Sequence, residues 1–323
     1  MDIDNRSGIA QIALSSLDAR QSHNWYATGL GFLPAGDRQP TADLSAVQGI
    51  PNARVADLRW LVDANPFFQL EIFEYATPEV RPQPNDRRGS DVGYARFGVW
   101  VEQFDATLER LAELGTTPLS EPIGAKGHRR ASVLDPDGIV VELMEDYIPT
   151  PDHSIPVRAG IPVAARSVTV SVPDLERSLD YFARAIGMHR VADDTLHGVE
   201  HEALWGLAGA KSRRAVLTGG SLWLEIVQYT EPVGRARPDD YRISDQGILN
   251  IAVASRTLEG FTRLRDNVVA QGFQVHTEIA RDQMHIQYAL DTDGFSVEMA
   301  YFDAAIDSVQ GFAPRVSEIT PTA

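Results

Sequence analysis

The two halves of this chain repeat one another at a nearly constant offset, and no other feature limits the available folds so strongly. Ile9–Phe32 lies over Ala165–Met188, so that Asp18 meets Asp174, Trp25 and Tyr26 meet Tyr181 and Phe182, and Gly31 meets Gly187, 156 residues on. Leu70-Glu71-Ile72 recurs as Leu224-Glu225-Ile226, and Arg81-Pro82-Gln83-Pro84-Asn85-Asp86 as Arg235-Ala236-Arg237-Pro238-Asp239-Asp240, both 154 residues on. Asp135-Pro136-Asp137-Gly138 followed by Glu142 returns as Asp291-Thr292-Asp293-Gly294 followed by Glu298, again at 156. An offset this steady marks a duplication, and each copy must fold as the other does.

A weaker repeat lies inside each half. Ile9–Leu14 reads as a strand leading into an Asp-initiated amphipathic helix, and Val92–Val101 followed by Phe104–Leu114 has the same order. Asp91–Phe97 aligns in turn with Asp245–Ile251. Short alternating strands follow each helix, such as Phe68–Phe73 and Ala131–Leu134, with Asp-Pro-Asp-Gly as a hairpin turn before the last. The unit is βαβββ, present four times. The 323 residues allow about two domains at roughly 150 residues each. We expect a first domain over 1–146 and a linker over 147–162, marked by Pro149, Pro151, Pro156 and Pro162. A second domain over 163–305 and a tail over 306–323 complete the chain.

One βαβββ unit leaves a sheet edge open, so units must pair into a curved sheet with helices outside and a cavity within. The class is α+β, four units forming two curved-sheet domains. Strand alternation then assigns faces. If Ile12, Leu14, Leu70, Ile72, Phe97, Val99, Val141 and Leu143 pack under helices, Gln11, Glu71, Phe73, Arg96, Trp100 and Glu142 face inward. With units paired within each half, Gln11, Glu71, Arg96 and Glu142 share one cavity, and Ser167, Glu225, Asn250 and Glu298 share the other.

Charge and composition exclude several functions. Lys and Arg number 29 against 45 Asp and Glu, a net charge of −16 that repels phosphate backbones and anionic lipid, so we expect no nucleic-acid partner. The absence of cysteine removes disulfides, thiolate nucleophiles and Cys-based metal sites. No run approaches the ~18 apolar residues of a membrane helix and the N-terminus lacks a leader pattern, so no membrane partner and a cytoplasmic location are expected.

The strand with a polar residue seven before Asp18, the helix ending in Gly31-Phe32, and the Asp-x-Asp-Gly-x-x-x-Glu ending make the chain resemble the vicinal oxygen chelate superfamily over nearly its whole length. That superfamily includes glyoxalase I, bleomycin-resistance proteins, methylmalonyl-CoA epimerase and extradiol dioxygenases. The resemblance implies a divalent metal held by four inward positions, which places Gln11, Glu71 and Glu142 as oxygen ligands. Arg96 stands where the family has His and cannot donate a lone pair, so it is expected to pair with Glu71 or Glu142. In the second half, Ser167 and Asn250 replace the two His ligands of the extradiol dioxygenase pattern, while Tyr288 and Glu298 match its Tyr and Glu.

By that resemblance the chain is an enzyme of the lyase or isomerase type, acting on a ketone, dicarbonyl or phenolic compound through an enolate or oxyanion. Either one divalent ion serves as Lewis acid, or none does and Arg96 steadies the oxyanion. Arg96, Glu142, Glu71, Tyr288 and Glu298 are the catalytic candidates; Gln11, Trp100, Phe73, Ser167, Trp223 and Asn250 are the substrate-binding ones. A second reading is a bleomycin-resistance-like protein that sequesters an aromatic compound; a third is a ring-cleaving dioxygenase. In a bland alternative, Glu142 and Glu298 are relic carboxylates satisfied by Arg96 and Asn250. Of the eight histidines, His23, His128, His197 and His201 fall in helix, turn or polar loop, and His201 and His285 stand out as candidates. Open edge strands also make a homodimer an expectation.

Overall fold

A computed structural model describes residues 7–38, 44–150 and 158–315. The first unit runs β1 (Gly8–Ser15), α1 (Ala19–Trp25, continued by a π-helical turn over Tyr26–Leu30), β2 (Leu33–Arg38), α2 (Leu44–Gln48), β3 (Arg54–Val62) and β4 (Gln69–Thr77). The second holds β5 (Gly93–Val101), α3 (Phe104–Glu113), β6 (Arg130–Leu134) and β7 (Val140–Met144). The third holds β8 (Val163–Ser171), α4 (Leu175–Leu179, with a π-helical turn over Asp180–Ala185), β9 (His189–Arg190), β10 (Lys211–Gly219) and β11 (Leu222–Glu231). The fourth comprises β12 (Gly247–Ser255), α5 (Leu258–Ala270), β13 (Gln274–Val275), β14 (Ile279–Arg281), β15 (Met284–Leu290) and β16 (Ser296–Phe302). The second unit departs from the expected pattern: ahead of β6 it has only an isolated bridge from Ile123 to Arg130.

The repeat is legible in local chemistry. Asp18 caps α1 by accepting from Gln21 N at 2.9 Å, and Asp174 caps α4 from Arg177 N at 3.0 Å. Gly31 and Gly187 each close the helical segment with φ of 87°, a left-handed turn that favours glycine. In the Asp-x-Asp-Gly turns, Asp135 Oδ1 accepts from Asp137 N and Ile139 N, and Asp291 Oδ1 from Asp293 N and Phe295 N. These bonds tie down the hairpins that aim β7 and β16.

The pairing of units differs from the expectation. One sheet has the order β13-β15-β16-β12-β1-β4-β3-β2, joining the first unit to the fourth; the other, β6-β7-β5-β8-β11-β10-β9, joins the second to the third. Two crossovers, 78–92 and 232–246, run between the sheets and grip each other. Val92 N donates to Arg235 O at 3.0 Å and Gln246 N to Arg81 O at 2.9 Å. Arg235 clasps Asp91, and Arg81 clasps Asp245, each at 2.6 Å. With the crossovers held together, β5 is delivered to β8 and β12 to β1.

Alternation assigns faces as expected except at Trp100, which packs against the main buried cluster and Tyr147 instead of facing inward. Ile12, Leu14, Leu70 and Ile72 of the first sheet join Phe97, Val99, Val141 and Leu143 of the second in one buried cluster, with Tyr26, Tyr181 and Phe182 from the helical segments. The opposite face of each sheet is a concave cup. Among the described residues no helix is long and apolar enough to cross a membrane.

Candidate functional site

In the first cup, neighbouring strands set four polar side chains around one point. Gln11 on β1, Glu71 on β4, Asn250 on β12 and Glu298 on β16 are all buried. The register places Ala13 beside both Glu71 and Asn250, and Ala252 beside Glu298, so small side chains leave room between the polar ones. The inner amide atom of Gln11 lies 2.7 Å from Glu71 Oε2 and 3.5 Å from Glu298 Oε2; its outer atom lies 2.6 Å from Gln69. Trp60 Nε1 donates to Glu71 Oε1 at 2.8 Å, and the Tyr288 hydroxyl to Glu298 Oε2 at 2.7 Å.

Hydrogen-bond partners decide which end of each amide is oxygen. Turned so that its nitrogen donates to Gln310 O and Gly311 O at 2.8 and 2.9 Å, Gln69 presents its oxygen to Gln11. Gln11 then answers with nitrogen, and its own oxygen faces the two carboxylates. Oxygens crowded in this way need a proton or a cation among them. Burial, reinforced by the neighbouring Glu298 charge, raises the Glu71 carboxyl to about 8, and burial raises Glu298 to about 7. Asn250, 0% exposed, makes no hydrogen bond of ordinary geometry among the described residues, although its amide lies near enough to Glu298 to offset part of the rise that burial causes there. The cup opens into a cavity of about 90 Å³ walled by Phe73, Leu58, Val47 and Ile286, with Arg38 and Arg281 also on its lining.

The second cup has the same plan and a different filling. At the places of Gln11, Glu71, Asn250 and Glu298 it carries Ser167, Glu225, Arg96 and Glu142, all buried. Arg96 Nη2 donates to Glu225 Oε2 at 2.7 Å, with its guanidinium carbon 3.3 Å from the centre of the Trp205 ring. The His197 ring bridges Glu142 Oε2 at 2.9 Å and Glu225 Oε2 at 3.0 Å. Arg130 reaches Glu142 at 3.2 Å, Arg214 lies 3.6 Å from Glu225, and the Thr169 hydroxyl, at the place of Ala13, donates to Glu225 at 3.0 Å. Burial pushes Glu142 up, but the His197 imidazolium beside it and the nearby arginines outweigh burial and hold it at about 2. Glu225 is likewise held well below the carboxylate range, His197 first among its opposing charges. Against burial, the two carboxylates keep His197 protonated above its ordinary value.

The candidates therefore regroup. Gln11 and Glu71 stand with Asn250, Glu298, Tyr288 and Phe73, whereas Glu142 lies in the other cup and shares no site with them. Arg96 pairs with Glu225, not with Glu71 or Glu142, because unit two pairs with unit three. Glu142 is satisfied by Arg130 and His197. Trp223 is a buried wall of the second cup against Met144 and Val216, and Trp100 packs edge-on against Tyr147. His201 accepts from Gly198 N at 2.9 Å and packs edge-on against His197 of the second cup, 5.7 Å between ring centres, whereas His285 pairs with Glu278 next to Phe261, away from both cups.

Sequence reasoning missed His197, which sits in an irregular segment with no motif around it. Residue 43, at the offset that corresponds to it, is outside the described residues. Trp60 and Gln48 were also missed. The offset does offer a signal for Gln48, because Gln48 accepts from the Tyr75 hydroxyl at 3.0 Å as Glu202 accepts from Tyr229 at 2.9 Å.

Among the described residues no three His, Asp or Glu side chains gather as a metal cage. The first cup still fits a hard divalent cation, because its donors are two carboxylates and two amide oxygens, one of them on Asn250, which makes no hydrogen bond of ordinary geometry among the described residues. The second cup does not fit, since an arginine and a histidine already occupy its centre.

Residues 8–143 and 165–299 each match the family model described as "Glyoxalase/Bleomycin resistance protein/Dioxygenase superfamily". Glyoxalase I from Zea mays superposes with a TM-score of 0.61 at 16% identity, covering 95% of this chain and 95% of that one. A proposed dioxygenase from Bacillus subtilis superposes with a TM-score of 0.62 at 15% identity, covering 95% of this chain and 90% of that one. No curated protein sequence matches the chain.

Proposed function

Since the chain belongs to the glyoxalase, bleomycin resistance protein and dioxygenase superfamily, we propose that the first cup is its reaction site. There it acts on a small ketone, dicarbonyl or phenolic compound by lyase or isomerase chemistry through an enolate or oxyanion. The observation that carries this reading is the pair Glu71 and Glu298, buried together, neither of them ion-paired to a basic side chain among the described residues, and both raised toward neutral pH. Gln11, Glu71, Asn250 and Glu298 would hold a divalent ion, which when bound supplies Lewis-acid polarisation of a substrate oxygen. The chain's own residues manage the protons. Whichever glutamate is ionised can take a proton from the carbon next to a carbonyl, and the same carboxyl can return it to a different carbon, completing an isomerisation. Tyr288 orients Glu298 and Trp60 orients Glu71, each by one hydrogen bond. A ring-cleaving iron site is not supported, because none of the four inward positions in either cup is an imidazole. The apolar wall of Phe73, Leu58 and Ile286 favours sequestration of an aromatic compound as the second reading.

Cation titration followed by Trp60 fluorescence, with elemental analysis, tests the site, and a panel of dicarbonyls, ketones and phenols tests turnover. Binding of about one divalent ion is expected. Glu298→Gln should lose both the ion and turnover, the latter by roughly 10²–10⁴-fold, while Glu142→Gln keeps both. Equal losses in the two variants would remove the chemistry from the first cup; ligand binding without turnover of any compound would favour sequestration.

A further inference from the structure

The duplicated Arg81–Asp86 and Arg235–Asp240 stretches are not used by either cup. They belong to the two crossovers, which enclose a separate cavity of about 430 Å³ between the sheets, within the range of about 300–1,000 Å³ typical of small-molecule sites. Four arginines here are committed to aspartates. Arg88 and Arg235 hold Asp91, Arg235 also holds Asp86, Arg81 holds Asp245 and Asp240, and Arg242 approaches Asp245 at 3.5 Å.

Arg87 and Arg237 are different. Arg87 donates only to neutral oxygens, Gln83 Oε1 at 2.6 Å and Tyr94 O at 2.8 Å. Arg237 donates to Gly294 O at 2.9 Å and lies over the rings of Phe295 and Tyr241, 4.3 and 4.5 Å from their centres. Neither makes an ion pair among the described residues, although Asp291 lies in the same turn as Gly294. Both guanidinium groups converge on Gly93: a Cβ there would lie 3.0 Å from Arg87 Nη2 and 3.8 Å from Arg237 Nε. Two like charges held this close repel each other, and the nearby carboxylates, Asp91 beside Arg87 and Asp291 beside Arg237, act on them without forming an ion pair with either.

We propose that this cavity is a second ligand site, which binds a small organic anion through Arg87 and Arg237. The shared chemistry is a carboxylate or phosphate head group, whose planar or tetrahedral oxygens two guanidinium forks can grip together. Pro82, Pro84, Pro238 and Ile248 line the rest of the cavity and accept an apolar or ring-bearing body. The site is independent of the reaction assigned to the first cup.

Calorimetric titration of the full chain at constant ionic strength, with benzoate, phenyl phosphate and inorganic phosphate, tests the proposal. Saturable binding of benzoate or phenyl phosphate is expected, tighter than inorganic phosphate, and the better of the two identifies the head group. Arg237→Gln, which gives up one bond to a carbonyl and the stacking on Phe295 and Tyr241 but no ion pair, should weaken it roughly tenfold or more, and Arg87→Gln with Arg237→Gln should abolish it. If Arg87→Gln fails to fold, Arg87→Lys with Arg237→Gln takes its place. Arg38→Gln with Arg281→Gln, at the first cup, should leave binding intact. No saturable binding of either organic anion, or binding that survives Arg237→Gln unchanged, overturns the proposal.

Discussion

The two cups share strand order, register and a pair of inward glutamates, yet one holds its carboxylates against amides and the other against fixed cations. In the first, Glu71 and Glu298 see Gln11, Asn250, Trp60 and Tyr288, and burial drives both carboxyls up toward neutral pH. In the second, Glu142 and Glu225 are spanned by His197 and flanked by Arg96, Arg130 and Arg214, and both stay ionised. His197, which bridges both second-cup carboxylates, accounts for most of this, and Arg96 in place of Asn250, with Arg130 and Arg214, adds to it. The difference teaches that a duplicated scaffold can leave the carboxylates of one cup without an ion pair while its twin neutralises its own.

The largest expected effect that can break this contrast is in the second cup. His197→Ala leaves Glu142 and Glu225 buried with one shared cation removed, and should cost about 3–5 kcal/mol in urea unfolding. A loss under about 1 kcal/mol would mean that His197 does not hold the cup together.

The pH dependence of the glutamates should run in opposite senses in the two cups, while His197 follows the sense of the first. Glu71 and Glu298 have folded values above their ordinary 4.5, so the folded protein keeps protons that the unfolded chain releases. Their contribution is therefore lost as pH rises from 4.5 through about 8. Glu142 is depressed, so its contribution is present above 4.5 and lost as pH falls through about 2. His197 is raised, so its contribution is complete below 6.5 and lost as pH climbs through its folded value. Without divalent ions, Glu71→Gln should gain on the order of 2 kcal/mol at pH 8 and flatten the decline in thermal melts above pH 5. An unchanged slope would show that Glu71 does not carry the buried charge.

The smallest change in stability, under about 1 kcal/mol, is expected from Asn250→Arg, which builds the second cup's cation into the first. It should move the pH midpoint of Trp60 fluorescence from the neutral range to the acid side and abolish cation binding. Retained cation binding would show that Asn250 is not one of the ligands.

Much of the fold was readable because it depends on local rules that the repeat states twice. Asp18 and Asp174 announce helix starts, Gly31 and Gly187 their ends, and the alternation through Leu70-Glu71-Ile72 and Val141-Glu142-Leu143 tells inward from outward. The inward glutamates, Gln11 and Asn250 followed from that alternation alone. The grouping of those residues did not follow, because every unit offers the same kind of edge. Nor did His197, which reaches the second cup from an irregular segment that no periodicity describes.

Sequence by itself thus determined the strand-then-helix repeat of the units, the faces of most of their strands and the chemical types of the side chains lining the cups, since these depend on neighbours a few residues away. Only the tertiary structure decided which unit closes against which, because the reciprocal grip of the crossovers at Arg81, Asp91, Arg235 and Asp245 acts between segments some 150 residues apart. That choice carried Glu298 and Asn250 to Glu71, and sent Arg96 to Glu225. It fixed the charge balance of each cup, because the energy of a buried carboxylate is set by the groups within a few ångströms of it in space.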